Sequence, residues 1–520
     1  MPEKVLQNIK PRKYQQEIYN NCKDKNCLVV LPTGIGKTLI ALMLTIHRQK
    51  AIPASKTLFL APTRPLAEQH LEYFQKNLPE LFAELTLFTG KIHADKRKQI
   101  WESSDIIFST PQCISNDLKN NLYDLENVSL LIEDECHRCL KNYSYTYIAE
   151  KYKQQAKNQR ILGLTASPGT NKETITKIAT SLGIESIELR TRESEDVKEY
   201  LQELEFQAIR LEFPEEFEKV TSTIKQLYNQ RIEELKKRRL LFKPANKITL
   251  LEVQGNIMRA IKNGNKNFNF LIGSSTCAQA LKLSHLIELL ETQTLFTAQS
   301  YIKKLFEQAN QNQSKAVKKI TSDPGFNSAY IILNQLIAKN LEHPKLLELI
   351  EIIKHSVKQN PKYKTIIFSQ YRDTVAKIAN ELNKIKNIKA KTFVGQSKKQ
   401  GSGLSQKEQQ EIMQEFKKGE INTIAATSIA EEGLDIPEVN SVIFYEPIPS
   451  AIRQIQRRGR TARLMKGKLI ILITNNTLDE IFYYASRSKE KSMHKAIESI
   501  KQDLDNGKPL KKSEPQKKLF

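Results

Sequence analysis

The feature that most limits how this chain can fold is a set of short apolar runs that occurs twice. Residues 27–31, 57–61, 85–88, 105–109, 129–133 and 160–165 each form a nearly continuous apolar run, separated from the next by amphipathic sequence. The pattern resumes at 364–368, 389–393, 421–425, 441–444 and 468–473. Strands that read as unbroken apolar runs are covered on both faces, as in a parallel sheet flanked by helices. Two α/β lobes are therefore expected. No short-period repeat relates them, so the duplication is architectural.

Between the lobes the strand signal disappears. Phe217, Val220, Ile224, Leu227 and Leu235 fall at helical spacing, which predicts an all-helical insert. This segment is also strongly basic: residues 225–320 carry 17 Lys+Arg against 6 Asp+Glu, including the run Lys236-Lys237-Arg238-Arg239. Such a run by itself is as often a solvated helix face as a binding surface. The excess over the whole segment, in a chain of net charge +23, points to a polyanion. The expected division is a first lobe at 1–205, the basic insert at 206–340, a second lobe at 341–498 and a disordered Lys-rich tail at 499–520. A length of 520 residues suits about three domains. No apolar run approaches the roughly 20 residues needed to cross a bilayer, and the first residues lack a signal-peptide core, so a soluble, intracellular protein without a membrane partner is expected. Six cysteines make no disulfide framework. Cys136-His137-Arg138-Cys139 and the Cys22/Cys27 pair lack the second tight pair of a structural zinc site, and read as reduced, buried thiols.

The chemistry is concentrated after the first run, where Pro32-Thr33-Gly34-Ile35-Gly36-Lys37-Thr38 leads into a helix. Glycines there allow backbone N–H groups to turn toward phosphate oxygens at a helix N-terminus. Lys37 would neutralise β- and γ-phosphates, and Thr38 would place its hydroxyl on Mg²⁺. Leu31 stands where the usual phosphate-loop pattern has glycine. The run at 129–133 delivers Asp134-Glu135-Cys136-His137 to the carboxyl end of its strand, where parallel sheets present ligands. Phosphoryl transfer to water needs one carboxylate on the metal and another polarising the water, roles that suit Asp134 and Glu135. Arg460 and Arg463, three apart in QRRGRTAR, can project from one helical face as cations for the transferring phosphoryl group.

These motifs, in this order, resemble those of a superfamily 2 helicase, and in finer detail the archaeal Hef helicase and its eukaryotic relative FANCM. PRKYQ at 11–15 resembles the adenine-reading Q motif. LPTGIGKT at 31–38 is similar to motif I, which in this branch also begins with Leu. APTRPLAEQH at 61–70, Thr89-Gly90, STPQ at 109–112, DECH at 134–137 and Thr165-Ala166-Ser167 match motifs Ia, Ic, Ib, II and III. IIFSQ at 366–370, ATSIAEEGLDIP at 426–437 and QRRGRTAR at 456–463 look like motifs IV, V and VI.

The resemblance implies two RecA-like lobes with the helical insert between them, and ATP with Mg²⁺ as cofactors. It implies unwinding or remodelling of single-stranded and branched DNA (forks, Holliday junctions) in replication-fork repair and recombination, with 3′-to-5′ polarity. A separate nuclease subunit or a sliding clamp are candidate protein partners. Gln15 would read the base, Pro32 through Thr38 would hold the phosphates, and Asp435 would reach the ribose. Closure of the lobes would join Lys37, Thr38, Asp134 and Glu135 to Gln456, Arg460 and Arg463. Thr63, Arg64, Thr89, Gly90, Thr110, Ser369, Gln396 and Thr427 would hold the strand without reading sequence. His137, Thr165 and Ser167 would couple the two sites. The chain carries DECH where relatives more often carry DEAH, and it lacks the ERK-type carboxylate cluster of the associated nuclease, so no DNA cleavage by this chain alone is expected. Competing readings are a double-stranded-RNA-stimulated ATPase of the RNA-sensor or Dicer type, a nucleotide-gated scaffold without turnover, and a translocase that does not unwind.

Overall fold

The structure is a computed structural model that describes residues 2–140, 143–201, 204–264, 267–395, 403–427, 439–448 and 467–508. The first six apolar runs become β1 (Cys27–Val30), β2 (Lys56–Leu60), β3 (Leu85–Phe88), β4 (Ile106–Ser109), β5 (Val128–Asp134) and β6 (Ile161–Thr165). A further edge strand, β7 (Ser186–Leu189), completes a seven-stranded sheet of order β3-β4-β2-β5-β6-β1-β7. All its pairings are parallel. Helices cover both faces, giving one apolar core around Leu28, Leu131 and Ile178 and another around Val29, Phe59 and Ile132.

The second sheet has six strands: β8 (Leu204–Leu211), β9 (Thr365–Phe368), β10 (Ala390–Phe393), β11 (Thr423–Ala426), β12 (Ser441–Phe444) and β13 (Gly467–Thr474). Their order is β10-β11-β9-β12-β13-β8, again parallel throughout. β8 overturns the expected boundary at 205/206. It precedes the insert in the chain yet pairs with β13 along its whole length, from Leu204 against Gly467 to Leu211 against Thr474. The second lobe is thus assembled from both sides of the insert. β7 and β8 escape a search for continuous apolar runs because polar residues interrupt both, Glu188 in β7 and Glu205, Gln207 and Arg210 in β8. In β8, Phe206 stays 38% exposed beneath the Arg487 guanidinium, so the run is interrupted by polar residues.

The insert is helical, as its spacing predicts. Helix Glu215–Lys237 runs through two cores, giving Phe217, Val220 and Ile224 to one near the lobe and Ile232 and Leu235 to a distal one. Gln293, just past helix Phe268–Thr292, anchors the insert to the second lobe: Ser369 Oγ and Thr374 Oγ1 both donate to its Oε1, at 3.2 and 2.8 Å.

The last described helix, Leu478–Asp505, would be about 42 Å long. Its start belongs to the second lobe, where Tyr483 joins the core and Asp479 pairs with Lys345 at 2.6 Å, both side chains fully buried. Its far half crosses to the first lobe, where Met493, Ile497 and Ile500 enter the core and Asp503 meets Lys172 at 2.7 Å. The expected tail at 499–520 is therefore corrected: residues 499–505 are helix, ordered by the burial of Ile500, and residues 509–520 lie outside the described residues. All six cysteines are buried and unbridged.

Candidate nucleotide site

The parallel sheet of the first lobe brings its loops to one edge. The segments after β1, β5 and β6 carry the phosphate loop, Asp134-Glu135 and Thr165-Ala166-Ser167, and those strands are neighbours in the order β5-β6-β1. The segments after β2, β3 and β4, which carry Thr63, Thr89 and Thr110, occupy the other end of the same edge.

Leu31 has a structural reason to replace glycine. Its N–H still pairs with Thr165 O at 3.1 Å, and its side chain is fully buried, so the pairing with β6 continues one residue past the end of β1 before the turn begins. The turn follows, with Gly34 and Gly36 at φ of +87° and +81°. Gly36 is doubly constrained, because a Cβ there would lie 2.2 Å from Gln15 Nε2. Gln15 donates to Ile35 O at 3.3 Å and Gly36 O at 3.4 Å, and its Oε1 accepts from Arg12 N at 2.9 Å. Tyr14 Oη donates to Ile35 O at 2.6 Å. In this structure Gln15 is buried and braces the loop. Lys37 Nζ donates to Leu31 O at 3.0 Å, which holds it across the loop. Thr33 Oγ1 is buried without a hydrogen-bond partner.

Asp134 ends β5 almost fully buried. Burial pushes its carboxyl up, but the hydrogen bond with His70, with Lys37 nearby, outweighs that and holds it below its ordinary value. His70 Nε2 lies 2.9 Å from Asp134 Oδ2, and His70 Nδ1 lies 3.4 Å from Thr38 Oγ1. Tyr145 Oη fixes the backbone here by donating to Asp134 O at 2.6 Å. Glu135 sits in the left-handed region at φ +50°, a conformation that costs a non-glycine residue of order 1 kcal/mol or more and turns the chain sharply out of β5. Its Oε2 is 3.3 Å from His137 Nδ1, which in turn lies 3.2 Å from Thr165 Oγ1. Thr165 Oγ1 donates to Ser167 O and accepts from Ser167 N, both at 3.1 Å, and Ser167 Oγ donates to Met493 Sδ at 2.8 Å. The three residues expected to couple the sites thus form a contact chain from Glu135 to the C-terminal helix. A hydroxyl and an ionised carboxylate, both oxygen donors, suit a hard cation such as Mg²⁺, and Thr38 with Asp134 supplies that set.

Of the expected strand contacts, Thr63 and Thr110 precede the first turns of helices Arg64–Asn77 and Pro111–Lys119. The Thr63 hydroxyl is buried without a partner. Arg64 is paired with Glu68 at 2.7 Å. Thr89 Oγ1 accepts from Lys91 N at 3.4 Å, and Gly90 is exposed. Ser369 is a correction: it is fully buried and its hydroxyl serves the seam with Gln293 rather than an open groove. Thr427 is buried as well, its N–H on Phe393 O at 3.0 Å. Gln396, Asp435, Gln456, Arg460 and Arg463 lie outside the described residues.

Sequence reasoning missed His70, Tyr145 and Met493. His70 closes the APTRPLAEQH stretch, whose resemblance points to nucleic acid rather than metal. Only the packing of its helix against the phosphate-loop helix discloses the contact.

Three families match successive parts of the chain. Residues 8–170 match "Type III restriction enzyme, res subunit", residues 216–342 match "Putative ATP-dependent RNA helicase, helical bundle", and residues 344–465 match "Helicase conserved C-terminal domain". The solved helicase domain of Hef from Pyrococcus furiosus superposes with a TM-score of 0.71 at 43% identity, covering 93% of this chain and 100% of that one. The "Putative ATP-dependent RNA helicase" of Methanocaldococcus jannaschii is 39% identical over 95% of this chain and 61% of its own length. The ATP-dependent DNA helicase mph1 of Neurospora crassa is 31% identical over 91% of this chain and 42% of its own. The mouse Fanconi anemia group M protein homolog is 31% identical over 96% of this chain and 26% of its own. The chain thus spans between about a quarter and three fifths of the length of the Methanocaldococcus, Neurospora and mouse relatives.

Proposed function

The chain belongs to the Hef and FANCM type of superfamily 2 helicases, and we propose that it is an ATP-driven DNA helicase or translocase acting on branched DNA in replication-fork repair. The observation that carries the ATPase half of this reading is the convergence of Lys37, Thr38, Asp134 and Glu135 on one sheet edge, with Glu135 tied through His137 and Thr165 to Ser167.

Lys37 meets the β- and γ-phosphates when it leaves Leu31 O. Thr38 and Asp134 would hold Mg²⁺, which when bound would supply positive charge to offset that developing on the phosphate oxygens. Glu135 takes the proton of the attacking water, and its buried Oε2 beside His137 is placed to report that change toward Thr165. Thr63, Thr89, Gly90 and Thr110 hold one DNA strand at the other end of the edge, and the basic insert holds the branch. Gln456, Arg460 and Arg463 complete the site from the second lobe on closure, with Asp435 on the ribose and Gln396 on the strand, and polarity is 3′ to 5′. A separate nuclease chain or a sliding clamp is the protein partner this reading admits. The working compartment is the cytoplasm, or the nucleus in a eukaryotic cell. Among the described residues no helix is long and apolar enough to cross a membrane.

The description of the Methanocaldococcus relative as an RNA helicase supports a second reading, an ATPase stimulated by double-stranded RNA. The deciding measurement is the ATPase rate on single-stranded DNA, forks, four-way junctions and RNA duplex at one salt concentration. Greater stimulation by forks and junctions than by RNA duplex is expected, and the opposite order would replace the first reading with the second.

A further inference from the structure

The mechanism above gives no role to His70, a buried polar side chain at the nucleotide site. His70 belongs to helix Arg64–Asn77, which otherwise presents its first turn as a strand contact, and it is only 7% exposed. Its imidazole lies between the two residues that supply oxygen to the metal: Nε2 at 2.9 Å from Asp134 Oδ2 and Nδ1 at 3.4 Å from Thr38 Oγ1. Those residues come from different elements, Thr38 from the phosphate-loop helix and Asp134 from the end of β5, and no hydrogen bond between their side chains is seen. The ring is itself fixed by Phe59, with centroids 4.4 Å apart and planes tilted by 34°. Phe59 is fully buried in β2, so the imidazole is seated on the rigid sheet.

We propose that His70 is a positioning residue for magnesium, holding the Asp134 carboxylate and the Thr38 hydroxyl in one orientation through its two ring nitrogens. One tautomer satisfies both contacts: Nε2–H donates to Asp134 while Nδ1 accepts the Thr38 hydroxyl proton. That arrangement leaves lone pairs on Thr38 Oγ1 and oxygen capacity on Asp134 for a cation. Partners that orient metal ligands in this way are typically worth about 10–100-fold in metal affinity. The assignment rests on the nucleotide-site reading above and adds a residue to it.

The test is the affinity of the full chain for a fluorescent ADP analogue, titrated once with Mg²⁺ and once in EDTA. The ratio of the two affinities reads the metal contribution alone. His70→Phe keeps an aromatic ring on Phe59 and removes both nitrogens. It is expected to leave the EDTA affinity unchanged while the Mg²⁺ enhancement falls about 10–100-fold. His70→Gln retains a donor and an acceptor and should keep most of the enhancement. His70→Ala removes the nitrogens with the packing risk reversed, and serves if the Phe variant does not fold. An undiminished enhancement in folded His70→Phe or His70→Ala overturns the assignment. A wild-type chain that does not bind the analogue overturns the nucleotide-site reading itself, whereas one that binds it with no Mg²⁺ enhancement overturns the metal assignment alone.

Discussion

Ser167 donates a hydrogen bond to the sulfur of Met493 at 2.8 Å, across 326 positions of sequence. Ser167 follows β6 beside the nucleotide site, and Met493 sits in the far half of the C-terminal helix, so the contact joins the motif after β6 to a helix rooted in the second lobe. Ile497 and Ile500 extend the same seam into the first-lobe core.

Met493→Ala should destabilise the protein by about 2–5 kcal/mol, since the side chain is 1% exposed in a packed core. Ser167→Ala should cost less, about 0.5–1.5 kcal/mol. A double-mutant cycle by urea denaturation should show the two to be coupled, and strict additivity would mean that the contact contributes nothing. A fragment ending near residue 201 lacks all three apolar residues of the helix, so it should bind hydrophobic dyes and lose thermal stability relative to the intact chain.

Lys37→Ala should abolish ATP hydrolysis while leaving DNA binding largely intact, because Lys37 lies in the phosphate loop after β1, apart from the expected strand contacts after β2, β3 and β4. Glu135→Gln should lower kcat by about 10²–10⁴-fold and retain nucleotide binding, as expected for loss of a general base. Steady-state turnover and nucleotide titration on each variant check both, and turnover retained in Lys37→Ala would refute the site.

Gly36→Ala should fail in two ways at once. The residue sits at φ +81°, and the new methyl would collide with Gln15 Nε2. Nucleotide affinity should be lost and stability lowered by about 1–3 kcal/mol. Adding Gln15→Ala should recover only part of the loss, since it removes the collision and leaves the backbone penalty. Full recovery in thermal melts would show that conformation plays no part.

His343 makes stability depend on pH. Burial, with Lys345 nearby, pushes its imidazole well below the ordinary value. Its Nε2 lies 3.2 Å from Glu291 O and its Nδ1 accepts from Lys345 N at 3.3 Å, an arrangement for the neutral ring. The unfolded chain takes up a proton near pH 6.5 while the folded chain resists it, so this stabilisation is complete above that pH and is lost as pH falls below it. Tm should drop between pH 7.5 and 5.5, and His343→Asn, which keeps a helix N-cap, should flatten that drop. An equal pH dependence in the variant would assign the effect elsewhere.

Lys237 and Arg239 are exposed at the end of helix Glu215–Lys237. Replacing both with Glu should weaken fork binding across sequences and make the dependence of log affinity on log salt shallower by about two. Anisotropy titrations over a salt series check this, and unchanged affinity would mark the run as a solvated face.

Much of the architecture was legible without coordinates because interior strands such as β1, β5, β9 and β12 are buried along their whole length, and a doubly covered strand is apolar nearly throughout. The helical insert showed itself in the spacing of Phe217, Val220 and Ile224. β8 did not, because an edge strand with Phe206 partly in solvent has no continuous apolar run. Ser369 was misread for a related reason: a hydroxyl after a strand suits a phosphate or a buried amide equally well, and Gln293 decided the matter.

By itself, the order of residues determined the two α/β lobes and the set of groups at the sheet edge, since strand covering and loop chemistry are local properties. Tertiary structure alone decided that β8 completes the second sheet, that Met493 enters the first lobe, and that His70 lies between Thr38 and Asp134. Each of these depends on packing between elements far apart in the chain, and local composition carries no record of which surfaces will meet.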